Sequence, residues 1–379
     1  MKKKILIIAA VVVAALIFIL LNFSSHSSDY SYISHEKKNT VNDQIPVDEK
    51  YANSDIYFPR DYGSHNNFRN EWWYFSGNLT DKKGRRFGYE FTIFRNALAW
   101  SKSDKKFESD QRYMAHFAVT DLSNNKFYYK EKLSLGTENL AGATSDPLKF
   151  WLSDWMVQGS YKNKNYTEPD FHIKAATEKY SVDLNLSSIK PVVLQGDNGI
   201  SRKGPGSDNF SHYYSLTRIS TNGRVEINGE QFDVSGFSWM DREWSNASLG
   251  RNELGWNWFS IQLNNNSEIM FYQFHGKENT NNKFDQGAII LENGKSEKLK
   301  SEDVKIEVIG YWQSKIRSVY PSGWKFSIPS RNINLTLTPS VKDQELELLI
   351  NYWEGSVSVK GTIKDKEVGG RGYVELTGY

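Results

Sequence analysis

The chain has no cysteine, and that absence removes disulfides, thiolate metal ligands, cysteine catalysis and a lipid-modified cysteine anchor together. An excess of one charge is missing too: 47 Lys and Arg face 45 Asp and Glu. Three of the positives are Lys2, Lys3 and Lys4, so the remainder is close to neutral and lacks the concentrated positive surface that phosphate backbones require. Nucleic acid is therefore excluded as the main partner. The seven histidines show neither His-x-His nor His-x-x-x-His spacing, which argues against zinc; no metal and no cofactor is expected. No Gly-x-Ser-x-Gly nucleophile elbow is present: "GFSWM" around Ser238 lacks the second glycine, and "GSVSV" around Ser356 lacks the geometry. A hydrolase thus has no visible nucleophile. "GRRFG" and "GGRG" have the wrong spacing for a phosphate loop or a dinucleotide fingerprint.

What the chain does have begins at residue 1. "MKKK" precedes an uncharged apolar run, Ile5 to Phe23, which as a helix would extend about 28 Å and so match a ~30 Å hydrocarbon core. The competing reading is a cleaved signal peptide, whose apolar stretch is usually about 7–15 residues and ends in a small-x-small site. Here the run is longer and ends "LLNFSSHSS". Both readings export the body, and an uncleaved anchor with lysines on its near side leaves it outside the cytoplasm. Residues 24–57 are polar and read as a tether.

Beyond the tether the composition turns to 12 Trp, 21 Tyr and 21 Phe, spread through short runs broken by Gly, Asn and Asp. "VDLNL" and "INLTLTP" alternate with period two, and "VEINGEQFDV" carries an Asn-Gly hairpin turn. Long helical periodicity is scarce. The body is therefore all-β and mostly antiparallel, with enough strands for barrels or sandwiches. A repeat sharpens this: Trp72, Phe75, Ser76 and Leu79 align without a gap on Trp256, Phe259, Ser260 and Leu263. Two copies of one β unit follow, and the leading Trp of each copy is expected to plug one end of a barrel.

The densest chemistry lies in "DREWSN", residues 241–246. In an extended segment Asp241 and Glu243 share one face while Arg242 and Trp244 share the other. Read as an active site, the two acids sit beside an apolar pocket that could raise a carboxyl pKa, with Tyr272 of "MFYQF" as a further acid. Read as structure, they pair with arginines and fix a corner. Arg242 stays protonated, so it can orient an anionic or polar ligand head but cannot shuttle protons. In "NEWWYF", Glu71 shares a face with Trp73 and is expected to pair with Arg95 or Arg69; Tyr74 lies beside it. His116 in "MAHFAVTDL" falls within an apolar strand, as a satisfied core histidine or a ligand contact.

"EWWYFSGNL", "GYEFTIFR", "YYSLTR", "GFSWMDREW", "GWNWFSIQL", "YWEG" and "GYVELTGY", in this order from about residue 58 onward, resemble the two-domain lipocalin-like family of AttH-type exported proteins and carotenoid 1,2-hydratases. The resemblance implies two lipocalin-like antiparallel β-barrels side by side, over residues 58–245 and 246–379, after the helix of residues 1–23. It also implies an apolar ligand site in the first barrel or against the interdomain face. In the hydratase relatives the motif reads Asp-His-Glu-Trp, and this chain departs from it with Arg242 in place of the histidine.

The sequence leaves three functions open. In the first, the protein binds a hydrophobic small molecule or lipid and serves an envelope exporter, with Arg242, Trp244, Glu71, Trp73, Tyr74, Arg95 and His116 as ligand contacts. Or it is a hydratase, isomerase or cyclase acting on such a molecule through Asp241, Glu243 and Tyr272. Or it is an envelope component whose barrels are filled. Aromatic abundance does not separate them, because large rings fill a core as readily as they line a pocket.

Overall fold

The computed structural model describes residues 55–66, 68–97, 111–137, 139–162, 166–206, 209–246, 253–276, 282–316 and 318–379. The apolar run of residues 5–23 and the tether up to residue 54 lie outside the described residues. Among those described, no helix is long and apolar enough to cross a membrane.

The chain is all-β. The first thirteen strands are β1 (Asn70–Asp81), β2 (Arg86–Ala97), β3 (Gln111–Asp121), β4 (Lys126–Leu135), β5 (Ala141–Ser145), β6 (Leu148–Leu152), β7 (Trp155–Tyr161), β8 (Pro169–Ala176), β9 (Tyr180–Ser188), β10 (Val193–Leu194), β11 (Ile200–Arg202), β12 (Phe210–Ile227) and β13 (Glu230–Ser245). They form one antiparallel sheet in the order β4-β3-β2-β1-β13-β12-β9-β8-β7-β6-β5, with β10 and β11 also on β12. The rest are β14 (Glu253–Leu263), β15 (Glu268–Gly276), β16 (Gln286–Ile290), β17 (Ser296–Lys300), β18 (Lys305–Val308), β19 (Tyr311–Gln313), β20 (Val319–Pro321), β21 (Trp324–Ile328), β22 (Ile333–Pro339), β23 (Glu345–Leu346), β24 (Tyr352–Ile363) and β25 (Lys366–Thr377). Their main sheet runs β17-β16-β15-β14-β25-β24-β22-β21-β18, with β23 on β24, and β19 and β20 pair apart. In both sheets the last strand returns beside the first, β13 on β1 and β25 on β14. One sheet curls into a nearly closed barrel and the other into a half-barrel.

Alternation explains the outer strands. In β22, Ile333, Leu335 and Leu337 are buried between exposed Asn334, Thr336 and Thr338, the pattern of a sheet with one wet face. Ile227 pairs with Glu230 across Asn228-Gly229, whose φ values of 51° and 82° suit the type I′ turn that Asn-Gly favours. The strand β1 and the second half of β13, from Ser238 on, instead bury both faces. One face fills the first barrel with Trp73, Phe75, Leu79, Met240 and Trp244. The other meets the second sheet in a cluster of Tyr74, Tyr213, Trp239, Trp258, Tyr272, Phe274 and Tyr373.

The repeat occupies equivalent places, since β1 and β14 each lie between the second and the last strand of their sheets. Phe75 and Leu79 enter the first core, and Phe259 and Leu263 the second. The expectation that Trp72 and Trp256 plug barrel ends is corrected: both pack into the cluster between the sheets. The reason is parity, because in a strand Trp72 must point opposite to Trp73, and it is Trp73 that enters the first core and donates its indole N–H to the Tyr62 carbonyl at 2.8 Å.

The two sheets are joined by polar contacts as well as rings. The buried Glu268 carboxylate of β15 accepts from Lys190 at 2.8 Å and from Arg218. Ser356 donates to Asn78 at 2.6 Å, and the Asn78 amide donates to the Gly372 carbonyl at 3.2 Å. Backbones approach so closely here that a Cβ on Gly88 would stand 2.5 Å from the Tyr373 hydroxyl, which only a glycine avoids.

Candidate functional site

Cross-strand register decides which side chains meet. On the outer face of the first sheet His116, Thr92, Tyr74, Asp241 and Ser215 form one row, and Met114, Phe94, Trp72, Glu243 and Tyr213 the next. On the facing sheet Gln286, Tyr272, Trp258, Glu375 and Glu354 form a third. Between them is a cavity of about 360 Å³ whose lining includes Asp241, Glu243, Glu354, Glu375, Lys203 and the rings of Trp72, Trp256, Trp258 and Phe274. That volume lies in the range of small-molecule pockets.

Asp241 is 4% exposed. Its Oδ1 accepts from the Ser215 hydroxyl at 2.5 Å and the Trp239 indole at 2.7 Å, and its Oδ2 accepts from the Tyr213 hydroxyl at 2.6 Å. Burial pushes its pKa up to about 7, against the pull of those three donors. Glu375 is likewise driven up to about 7 by burial, with the Trp256 indole donating at 3.2 Å and with Asp241 and Glu243 as negative neighbours. Burial first, then Glu375 and Glu90, raise Glu354 well above the carboxylate range. Tyr74 donates to Glu354 Oε1 at 2.8 Å, and Oε2 is buried without a partner.

Glu243 differs, since Lys203 pairs with it at 2.8 Å. The ammonium lies 4.2 Å from the Tyr272 ring centroid. Burial pulls the Lys203 pKa down, but Glu243 and Tyr272 outweigh it and hold the ammonium charged. Burial raises Tyr272, whose hydroxyl is hydrogen-bonded to the Ser201 hydroxyl at 2.8 Å and accepts from Gln286 at 2.7 Å. On the cavity's other flank, His116 Nδ1 meets the Tyr352 hydroxyl at 2.6 Å and Nε2 meets Glu131 at 3.1 Å.

The opposite parity of the same motif builds the end of the first barrel. Arg242 is fully buried and binds Glu71, with further bonds to the carbonyls of Gly63 at 2.7 Å, Glu243 at 3.1 Å and Trp72 at 3.3 Å. Its guanidinium lies 3.9 Å from the Trp73 ring centroid. Arg95 completes the Glu71 pairing and bonds to the carbonyls of Phe68 and His65. Burial opposes the Glu71 charge, but Arg242, His65 and Arg95 hold its carboxyl far below the usual range. Trp244 is stacked between His65 and His212, with centroids 4.0 and 5.1 Å away.

Of the residues singled out from the sequence, Asp241, Glu243, Tyr272, Tyr74 and His116 therefore converge on the cavity. Glu71 is at its border, with its carboxylate turned to Arg95 and Arg242. Arg242, Trp244, Trp73 and Arg95 lie on the barrel-end side and outside the cavity lining. Lys203, Glu354 and Glu375 were missed. The two glutamates stand in "YWEG" and "GYVELTGY", each an acid within a strand of apolar residues, a signal that marks burial but not what it faces.

A family model described as AttH-like matches residues 49–379. The chain is 23% identical over 363 residues to kievitone hydratase of Fusarium solani subsp. phaseoli, covering 93% of this chain and 92% of that protein. Among solved structures it resembles one described as an AttH, from Nitrosomonas europaea, with a TM-score of 0.74, 32% identity, and coverage of 86% of this chain and 97% of that one. Kievitone hydratase of Nectria haematococca shares the fold with a TM-score of 0.66 at 17% identity, over 89% of this chain and 94% of that one. With the two-sheet architecture in place and nearly the whole described body matched, the chain belongs to the AttH-like family.

Proposed function

We propose that this protein is a hydratase that adds water across an isolated carbon–carbon double bond of an apolar substrate held in the cavity between the sheets. The observation that carries the reading is Asp241, a carboxyl enclosed by aromatic walls, without a cation of its own, and titrating near 7. In its acid form it gives its proton to one alkene carbon. The carboxylate left behind is received at once by Ser215, Trp239 and Tyr213, donors already in place where the charge develops. The carbocation on the other carbon is held by ring faces. Water attacks it and passes a proton to the Glu375 carboxylate, also poised near neutrality; transfer of that proton from Glu375 to Asp241 restores both groups and closes the cycle. The products balance as alkene plus water to alcohol.

The resemblance to a kievitone hydratase over 93% of this chain supports this reaction class. The arginine at position 242 does not weigh against it, because that side chain faces Glu71 at the barrel end, leaving the carboxyls to move protons. Carriage of an apolar molecule without chemistry is the other reading, favoured by the aromatic lining alone. In both, the apolar segment of residues 5–23 tethers the body to a membrane, outside the cytoplasm, where such molecules dissolve. The test is incubation of the full chain in ¹⁸O-water with kievitone and with small trisubstituted alkenes. One labelled water added to a probe, and lost in Asp241→Asn, is the expected result. Probes that bind yet never gain water would leave carriage in its place.

A further inference from the structure

We propose that the cavity between the sheets is a binding site for an apolar organic cation, a tertiary or quaternary ammonium carrying hydrocarbon groups. The inference rests on the hydratase reading for the identity of the site, and deepens it: such a cation would occupy the place of the carbocation.

The charge count of the lining comes first. Four carboxyls, Asp241, Glu243, Glu354 and Glu375, face the cavity, and among the described lining residues Lys203 is the one lysine or arginine. Lys203 is taken up by Glu243 at 2.8 Å. Asp241, Glu354 and Glu375 are thus left without a cation, and buried carboxylates in that state are costly unless paired. The second observation is an unsatisfied atom within that group. Glu354 is 1% exposed and lines the cavity, and its Oε2 has no hydrogen-bond partner among the described residues, so this carboxyl is incompletely satisfied within the fold. The third is the wall. Trp72, Trp256, Trp258 and Phe274 present ring surfaces there, and ring faces attract cations that carry little hydration. A neutral hydrocarbon would gain from the rings but leave the carboxyls unanswered. A small inorganic cation would answer the carboxyls and waste the rings. An alkylammonium suits both, and a cavity of about 360 Å³ holds roughly a dozen water-sized groups, enough for a trimethylammonium head and a chain of about eight carbons.

The pH dependence follows from the groups that face this space. Asp241, Glu243, Lys203, Tyr213, Tyr74 and His116 come from the first sheet and its loops; Glu354, Glu375, Tyr272 and Tyr352 come from the second. Glu90 lies one row below Thr92, across from Ser76. Asp241 and Glu375 titrate near 7, and a bound cation favours their charged forms. Binding therefore releases protons and tightens as pH rises from 5 to 8.

The experiment uses the full chain in detergent and tryptophan fluorescence to compare N,N,N-trimethyloctylammonium with the neutral N,N-dimethyloctanamide. The ammonium is expected to bind tighter by roughly tenfold or more at pH 8, with the preference shrinking toward pH 5. The double variant Glu354→Gln/Glu375→Gln should lose the preference while still binding the amide, and its amide binding shows that the cavity is folded. Phe274→Leu, which leaves every carboxyl and its side-chain hydrogen bonds in place, should weaken the ammonium more than the amide. Equal binding of ammonium and amide at pH 8, or a preference that survives the double variant, overturns the proposal. Its fate is separable from that of hydration: selective ammonium binding with no water added to any alkene sinks only the hydratase, and hydration without ammonium preference sinks only the cation site.

Discussion

Replacing Asp241 by Asn should stabilise the protein while removing hydration. The carboxyl titrates at about 7 in the fold and near 3.9 in an unfolded chain. The folded state therefore holds this proton more tightly than the unfolded one, and stability falls as pH rises between those two values. Integrating the two titrations gives a penalty of ~0.5 kcal/mol at pH 4, ~3 kcal/mol at pH 6 and ~4 kcal/mol at pH 8, after which it is flat. Asn keeps the shape and removes the charge: its oxygen accepts from Ser215 and Trp239, and the Tyr213 hydroxyl, which also accepts from the Trp258 indole at 3.1 Å, turns to accept from the new amide. At ~2 °C per kcal/mol for a body of this size, and with part of the gain spent on burying the amide, the variant should melt about 4–8 °C above the parent at pH 8 and within about 1 °C of it at pH 4. Thermal unfolding followed by circular dichroism at four pH values measures this. A variant that melts below the parent at pH 8, or a difference that does not grow with pH, refutes the claim that Asp241 is an uncompensated buried acid.

Arg242→Met should have the opposite signature, because it strips one cation from the buried Glu71; breaking such a pair costs about 3–5 kcal/mol, or ~6–10 °C at neutral pH. Since the folded Glu71 pKa is depressed, its stabilisation is present above the unfolded value near 4.3 and is lost as pH falls below it, so the gap between variant and parent should narrow in acid. An unchanged melt at pH 7 would remove Arg242 from the account of the barrel end. For the membrane tether, protease added to intact cells should shave the body from a membrane-retained stub, and a body protected together with a cytoplasmic marker would refute export.

Period-two alternation alone was enough to separate Asp241 and Glu243 from Arg242 and Trp244, because successive side chains of a strand point to opposite faces. The Asn228-Gly229 turn and the Trp72/Trp256 repeat were equally legible, being local chemistry and self-similarity. Alternation names two faces without saying what covers each. That is why Trp72 and Trp256 were expected to plug barrels, when in the fold they look out at the space between them. Glu354 and Glu375 join Asp241 only because β24 and β25 close the second sheet and that sheet faces the first.

The sequence by itself determined an all-β body made of two related units, the family resemblance, and the sorting of the acidic motif onto two faces. Tertiary structure alone decided which face became a cavity, which acids share it and which are neutralised. The physical reason is that a carboxyl's chemistry depends on its solvation and its charged neighbours. Glu71, Glu243, Glu354 and Glu375 are the same residue type, each directly beside an apolar neighbour along the chain. One is held ionised by two arginines and one is paired with a lysine, while the other two are raised by burial. Those differences come from strands far apart in sequence, and no local pattern encodes them.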